Sequence, residues 1–236
     1  MGYILYSYPD CASHVVRMAL EELGAPYQEE IVDMRADAQH SPEFLRLNPR
    51  GLVPVLADEH ADVTLSETGA ILSYLSEQYG RLAPPQSEHL NRANFHQLMH
   101  FISNTLHADA QLQYYTERYV GEDLAEEARP TVHARMRDHF SLLDATIAKN
   151  GGPWLLGREL SMCDFYLGGC ARWSLIAPRH APLEPEAITR HPNLNSLLEN
   201  LESLPSVIRA FEAEKTPKSA YFRAPVRSRF HLDPNE

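Results

Sequence analysis

An α/β domain followed by an all-helical domain is the architecture this sequence predicts, and three observations predict it. Runs rich in strand formers alternate with amphipathic stripes from Tyr3 to Tyr79. The proline-rich stretch Leu82-Ala83-Pro84-Pro85-Gln86-Ser87 then interrupts the chain. From Glu88 onward the strand signals disappear. The expected organisation is therefore a first domain over 1–81, a linker over 82–87, a helical domain over 88–214 and a tail over 215–236.

Each element has its own cause. Tyr3-Ile4-Leu5-Tyr6 is a strand-forming run that stops at Pro9-Asp10. Ala12, Val15, Val16, Ala19, Leu20 and Leu23 then recur at helical spacing, and Gly24 closes that stripe. Asp10 is expected to cap this helix. Tyr27 to Val32 supplies a second strand, so the chain opens with a βαβ unit of right-handed crossover. Pro42, suited to a first helical position, opens a short helix. Val53 to Leu56 and Val63 to Leu65 flank Asp58-Glu59-His60-Ala61-Asp62 as a hairpin, and a helix from Glu67 to Tyr79 ends at Gly80. The order β-α-β-α-β-β-α is thioredoxin-like. Helices are expected over 91–119, 124–149, 163–176, 194–203 and 206–214, separated by glycine- and proline-bearing breaks. The tail carries Tyr221, Phe222 and Phe230 among arginines, without periodicity.

Composition bounds the function. The 236 residues are 44% apolar and 22% charged, an ordinary soluble composition with ample core material. A formal charge of −11 argues against nucleic acid or an anionic membrane as the main partner, since both require a basic face. No apolar run reaches a membrane span, and no basic leader with an apolar core opens the chain. Cys11, Cys163 and Cys170 lack metal-ligand spacing, and no His-Glu-x-x-His motif occurs, so no metal site is expected. Three unpaired cysteines suit a reducing compartment, the cytoplasm. The histidines read mostly as surface residues.

Two stretches stand out. Asn48-Pro49-Arg50-Gly51-Leu52-Val53-Pro54-Val55-Leu56 is a turn signal feeding a strand that contains a proline. Pro54 belongs at a strand start, an edge or a bulge, and the bond before it is one where a cis peptide is tolerated. Ten residues on, Ser66-Glu67-Thr68-Gly69-Ala70-Ile71 opens a helix. Separately, Ser161-Met162-Cys163-Asp164 has the spacing of a capping box, with Leu160 available as a hydrophobic staple. Cys163 and Cys170, seven apart on the helix that follows, read as buried packing residues.

In this order and spacing these stretches resemble the cytosolic glutathione transferases, over roughly residues 3–213, with bacterial and serine- or cysteine-type members most similar. The resemblance implies a thioredoxin-like glutathione-binding domain, a helical domain with a pocket for the acceptor substrate, and a homodimer. It implies that the backbone of Val53, the residue before Pro54, pairs with the cysteinyl unit of glutathione, with Leu52 and Pro54 part of the same binding stretch, and that Glu67 and Thr68 hold its γ-glutamyl end. Helix N-terminal N–H groups beside Thr68 suit a carboxylate. At the glycyl carboxylate the family often has a His-Lys pair; here Gln39 and His40 stand there, so His40 is the candidate, with Arg35 or Arg50 nearby. The box at Ser161 and Asp164 corresponds to one that serves folding in this family.

Catalysis in such proteins needs the glutathione thiolate, because the thiolate is the nucleophile and a free thiol ionises little at neutral pH. A donor at the start of the first helix favours the anion. Serine-type members place a hydroxyl where this chain has Cys11, the bacterial cysteine-type members place a cysteine where it has Ala12, and tyrosine-type members use a position matching Tyr6. The chain matches no class cleanly, so Cys11, Ser13 and Tyr6 are all candidates, Cys11 leading. His100 to His107 resembles a segment that reaches the active site in bacterial members, which makes Asn104 and His107 candidates, with Tyr114, Tyr115 and Trp173 as possible walls of a cleft. Two functions follow: conjugation of glutathione to small hydrophobic electrophiles, with thiol-transferase or peroxidase activity through Cys11; or a non-catalytic protein of the same fold binding a protein partner, since Ser13-His14-Val15-Val16-Arg17 also resembles the first helix of the stringent starvation protein.

Overall fold

The computed structural model describes residues 2–178, 181–217 and 221–226. Its first part is a four-stranded mixed sheet in the order β2-β1-β3-β4. Strand β1 (Tyr3–Ser7) runs parallel to β2 (Tyr27–Ile31) and antiparallel to β3 (Val55–Asp58), which pairs antiparallel with β4 (Val63–Ser66). Tyr3, Leu5 and Ser7 are buried and alternate with the half-exposed Ile4 and Tyr6, the two-residue period of a pleated strand. Helix α1 (Ser13–Leu23) joins β1 to β2, α2 (Pro42–Leu47) precedes β3, and α3 (Thr68–Tyr79) follows β4. Gly24 and Gly80 end α1 and α3 in the left-handed conformation. This is the thioredoxin-like domain the element order predicts.

Asp10 does not cap α1. The cap position is Ala12, without a side-chain bond, and Asp10 sits at φ +58 in the turn before it. Hydroxyl-to-backbone bonds from Ser13 to Tyr8 close that turn instead: Ser13 Oγ donates to the Tyr8 carbonyl at 3.0 Å and accepts from the Tyr8 N–H at 3.2 Å.

The helical part is more divided than its periodicity suggests. The span read as one helix over 91–119 is α4 (His89–Phe101), a π-helical turn over Ile102–Leu106, α5 (His107–Tyr114) and α6 (Thr116–Val120). A π turn admits one extra residue and shifts the helical register without breaking it, so the apolar stripe alone does not reveal it. Helices α7 (Glu122–Asn150), α8 (Met162–Ile176), α9 (Glu186–Thr189) and α10 (Pro192–Glu202) follow. The capping box at the start of α8 is present: Asp164 Oδ2 accepts from the Ser161 N–H and Oγ, and its Oδ1 accepts from the Leu155 N–H. Cys163 and Cys170 are fully buried on α8, and burial holds both thiols well above their ordinary range.

The described residues form two compact units, 2–81 with 205–217, and 82–204 with 221–226. The last helix, α11 (Pro205–Ala213), thus belongs to the unit built on the sheet, not to the helical unit into which periodicity placed it. It lies against α1, where Phe211 packs on His14 with ring centroids 4.2 Å apart and Arg209 pairs with Glu21. The described residues of the tail include packed aromatics. Tyr221 and Phe222 are buried in the helical unit, where Arg172 donates to the Tyr221 and Val226 carbonyls and Glu202 accepts from the Phe222 N–H. Phe230 lies outside the described residues.

Candidate active site

Strand register gathers the candidate residues of the first unit. Tyr6 pairs with Val55, and Val55 pairs with Ser66. The end of β1, the start of β3 and the end of β4 therefore meet at one end of the sheet. The turn that carries Cys11 follows the first, Val53-Pro54 precedes the second, and Glu67-Thr68 follows the third.

Local chemistry shapes each piece. Asn48, itself buried, stitches the loop before β3: its Nδ2 donates to the Leu52 carbonyl at 2.7 Å and its Oδ1 accepts from the Arg50 N–H at 3.1 Å. Gly51 turns this loop at φ +63. The Val53–Pro54 peptide is cis. Glu67 occupies φ +71, a backbone conformation costly for a residue with a β-carbon, and such outliers persist where the surroundings hold them. Its carboxylate is exposed and pairs with the Arg50 guanidinium. Thr68 is buried at the first position of α3, where the leading N–H groups lack intrahelical acceptors.

His40 stands against the same loop. Its Nδ1 lies 2.6 Å from Asp37 Oδ1, and its ring packs beside Gly51. Arg50 is committed to Glu67, and Arg35 lies on the exposed 3₁₀ turn Met34–Ala36.

The three candidates for thiol activation are separated by the structure. Tyr6 packs its ring edge-on against Phe44 at 6.1 Å, in a cluster with Val32 and Val55. Ser13 is fully buried, and its hydroxyl is engaged by Tyr8 as both donor and acceptor. Cys11 is partly exposed at the turn before α1. Burial, then the carboxylates of Glu214 and Asp10, push its thiol up to about 12. Its side chain is thus a neutral S–H at physiological pH.

Sequence spacing gave no sign of Glu214 or His14. Glu214 follows α11 yet reaches back to the Cys11 turn, accepting from the Asp10 N–H at 3.1 Å. Its Oε1 lies 2.6 Å from Arg17 Nη1 and 3.0 Å from His14 Nδ1. Arg17 also pairs with Glu29 of β2, which accepts from Ser7. Burial alone would raise the Glu214 pKa, but His14, Arg17 and the Asp10 N–H outweigh it and lower it to about 2. His14 is buried, unlike the mostly exposed histidines that the sequence leads one to expect.

In the helical unit, Asn104 is exposed on the π turn and His107 opens α5 just beyond it. His107 Nδ1 bonds the Tyr166 hydroxyl at 2.7 Å, and its ring stacks on Trp173 at 4.9 Å. Burial lowers its pKa to about 4, so the imidazole is neutral. Tyr114 and Tyr115 contact each other edge-on at 4.3 Å, with Arg118 over the Tyr115 ring. Tyr166, which orients His107, carries no sequence motif. Among the described residues no cluster of histidine, cysteine and carboxylate suits a metal ion, and no helix is long and apolar enough to cross a membrane.

Comparison with known proteins bears on this geometry. Residues 1–77 match the family described as Glutathione S-transferase, N-terminal domain, and residues 105–215 match Glutathione S-transferase, C-terminal domain. Glutathione S-transferase GstB of Escherichia coli is 32% identical over 150 residues, 63% of this chain and 71% of that protein. The chain belongs to the glutathione transferase family. A glutathione S-transferase-like protein, OpS6 of Beauveria bassiana, is 29% identical over 81% of this chain and 86% of its own. Among solved structures, a glutathione transferase from Burkholderia graminis with two bound glutathione molecules per subunit superposes with a TM-score of 0.78 at 26% identity, over 92% of this chain and 89% of that one. A glutathione transferase homologue from Sulfitobacter with bound glutathione gives 0.75 at 25% identity, over 90% and 98%. The transferase fold is thus a thioredoxin-like domain followed by helices, as the sequence predicts.

Proposed function

We propose that this chain is a working glutathione transferase, taking glutathione as co-substrate and adding its sulfur to small hydrophobic electrophiles. One observation carries the reading: the Cys11 turn, the Val53–Pro54 peptide and the Glu67-Thr68 helix start converge at one end of the sheet. Glutathione has two carboxylates, one ammonium group and a central thiol, and this edge offers chemistry for each. The Thr68 hydroxyl and the leading N–H groups of α3 receive the γ-glutamyl carboxylate. Glu67 takes the ammonium group, exchanging its present partner Arg50. The backbone at Leu52 and Val53 meets the cysteinyl unit beside Pro54, and His40 receives the glycyl carboxylate. Bound glutathione in the Sulfitobacter and Burkholderia graminis relatives supports this assignment.

Activation of the thiol falls to Cys11. Of the three candidates it is the one partly exposed at the turn before α1, whereas the Ser13 hydroxyl is already engaged and the Tyr6 ring is built into a core cluster. A thiol donates only weakly, but a donor aimed at sulfur still favours the thiolate, and the start of α1 adds its partial positive charge. The neutral state of Cys11 supports conjugation over thiol-transferase chemistry, which needs a protein thiolate as attacker. For the acceptor, the neutral His107, its Trp173 stack and the exposed Asn104 offer a flat, apolar surface with polar handles. The assembly is a homodimer.

Isothermal titration with glutathione tests the reading. Binding to the unaltered protein, severely weakened in Glu67→Ala, supports it. No heat with the unaltered protein leaves the non-catalytic, partner-binding reading in its place.

A further inference from the structure

Glu214 is a buried carboxylate of the first unit. It comes from the far end of the chain, 204 residues from the amide it accepts, and with His14 and Arg17 it is about 1% exposed. A buried carboxylate is tolerated where paired charges and hydrogen bonds compensate it. Here α1 supplies His14 and Arg17, the turn supplies the Asp10 N–H, and β2 supplies Glu29 as the second partner of Arg17. The position of this carboxylate has a consequence for the residue next to that amide. We propose that Glu214 is a reaction-specificity residue: fixed at the Asp10–Cys11 turn, it keeps the Cys11 side chain a thiol, so that glutathione, not the protein, supplies the attacking sulfur.

The inference rests on the proposed role of Cys11 but not on glutathione binding, and the mechanism is local. Ionising Cys11 would add a third negative charge to those of Glu214 and Asp10 in a poorly solvated turn, which opposes the charged form. Arg17 and His14 meet Glu214 at Oε1, whereas the Asp10 N–H meets Oε2, so the Arg17 charge is directed to the carboxylate. Asp10 adds to the same effect from the turn itself. Glu214 touches no substrate in this scheme. It acts through Cys11, as a positioning residue. Without its charge the thiolate becomes accessible, and it can attack a mixed disulfide: a new S–S bond forms to Cys11, the old S–S bond breaks, and the departing thiolate takes a proton from water. Free glutathione then reduces the Cys11 mixed disulfide by a second exchange, giving glutathione disulfide.

The test is the ionisation of Cys11, followed by thiolate absorbance against pH without glutathione. Cys11→Ser serves as the blank, because Cys163 and Cys170 are buried. The unaltered protein is expected to titrate well above a free thiol, which ionises near pH ~8.5. Glu214→Gln should lower that midpoint by about one pH unit or more, raising the thiolate fraction, and with it alkylation by iodoacetamide at pH 8, about tenfold. Exchange with the mixed disulfide of cysteine and glutathione should rise in parallel, and Glu214→Asp should restore the original titration. An unchanged midpoint in a folded Glu214→Gln protein overturns the proposal. Should that variant fail to fold, the unaltered protein still decides: a Cys11 midpoint at or below that of a free thiol overturns it. Glutathione titration on the same samples separates a failure of this inference from a failure of the glutathione site.

Discussion

A β-carbon added at Gly51 would stand 2.8 Å from His40 Cδ2 and 3.1 Å from the Gln39 carbonyl oxygen. The loop before β3 and the turn that carries His40 are thus in contact through the one residue that has no side chain. Gly51 also holds φ +63, where a β-carbon is strained. Gly51→Ala should therefore cost about 1–3 kcal/mol of stability and displace His40 or the loop. Urea unfolding with glutathione titration would show both effects. If Gly51→Ala matches the unaltered protein in both, the contact is loose and His40 is not held there.

The capping box of α8 should matter more than most surface contacts. Asp164 accepts three hydrogen bonds in a fully buried position. Asp164→Ala strands the N–H groups of Leu155 and Ser161, and should cost about 2–4 kcal/mol. Ser161→Ala, which removes one capping hydroxyl, should cost about 1 kcal/mol. Chemical denaturation of the two variants gives this order directly. Equal losses would mean that Asp164 contributes nothing beyond the cap.

These two sites mark what the sequence makes legible. Ser161 and Asp164 are three residues apart, and the box is written in that spacing. The strands and helices of the first unit and their order along the chain were readable for the same reason, since two-residue and helical periods are local. The π turn at 102–106 was not, because an extra residue within a helix leaves the apolar stripe nearly continuous. Glu214 was unreadable on other grounds. Its partners His14 and Arg17 lie some 200 positions away on α1, and nothing in the pattern of 205–214 distinguishes a helix packed on the sheet unit from one in the helical unit. The choice among Cys11, Ser13 and Tyr6 is likewise not written in the spacing, since it depends on which hydroxyl is already engaged by backbone.

Self-association is the third expectation. In the helical unit Leu90, Tyr119, Leu124 and Leu142 are each more than half exposed. Large apolar side chains left in water are the ordinary raw material of an interface, and a twofold dimer is the commonest way to cover them. Sedimentation equilibrium at micromolar concentration should give twice the mass of one chain. Replacing Leu124 or Leu142 by Glu should shift the balance toward the single chain if that residue is covered. A single-chain mass for the unaltered protein would exclude the dimer.

The last expectation is a pH dependence with a definite sign. Glu214 has a folded-state pKa lowered to about 2, against an ordinary value of 4.5. A depressed carboxylate stabilises the fold in its ionised form, so its contribution is complete above pH 4.5 and is lost as pH falls toward 2. The difference corresponds to at most about 3 kcal/mol. Asp164 works in the opposite direction, because burial raises its pKa to about 6 and a protonated carboxyl there favours the folded state as pH falls. Total stability against pH therefore mixes the two. The difference between the unaltered protein and Glu214→Gln isolates the first, since Asp164 is common to both. That difference should be constant from pH 7 to 5 and shrink steadily below pH 4.5. Urea unfolding at pH 6, 5, 4 and 3 measures it. A difference that does not change over this range would mean that Glu214 is not held ionised by His14 and Arg17, and that the cluster acts by packing alone.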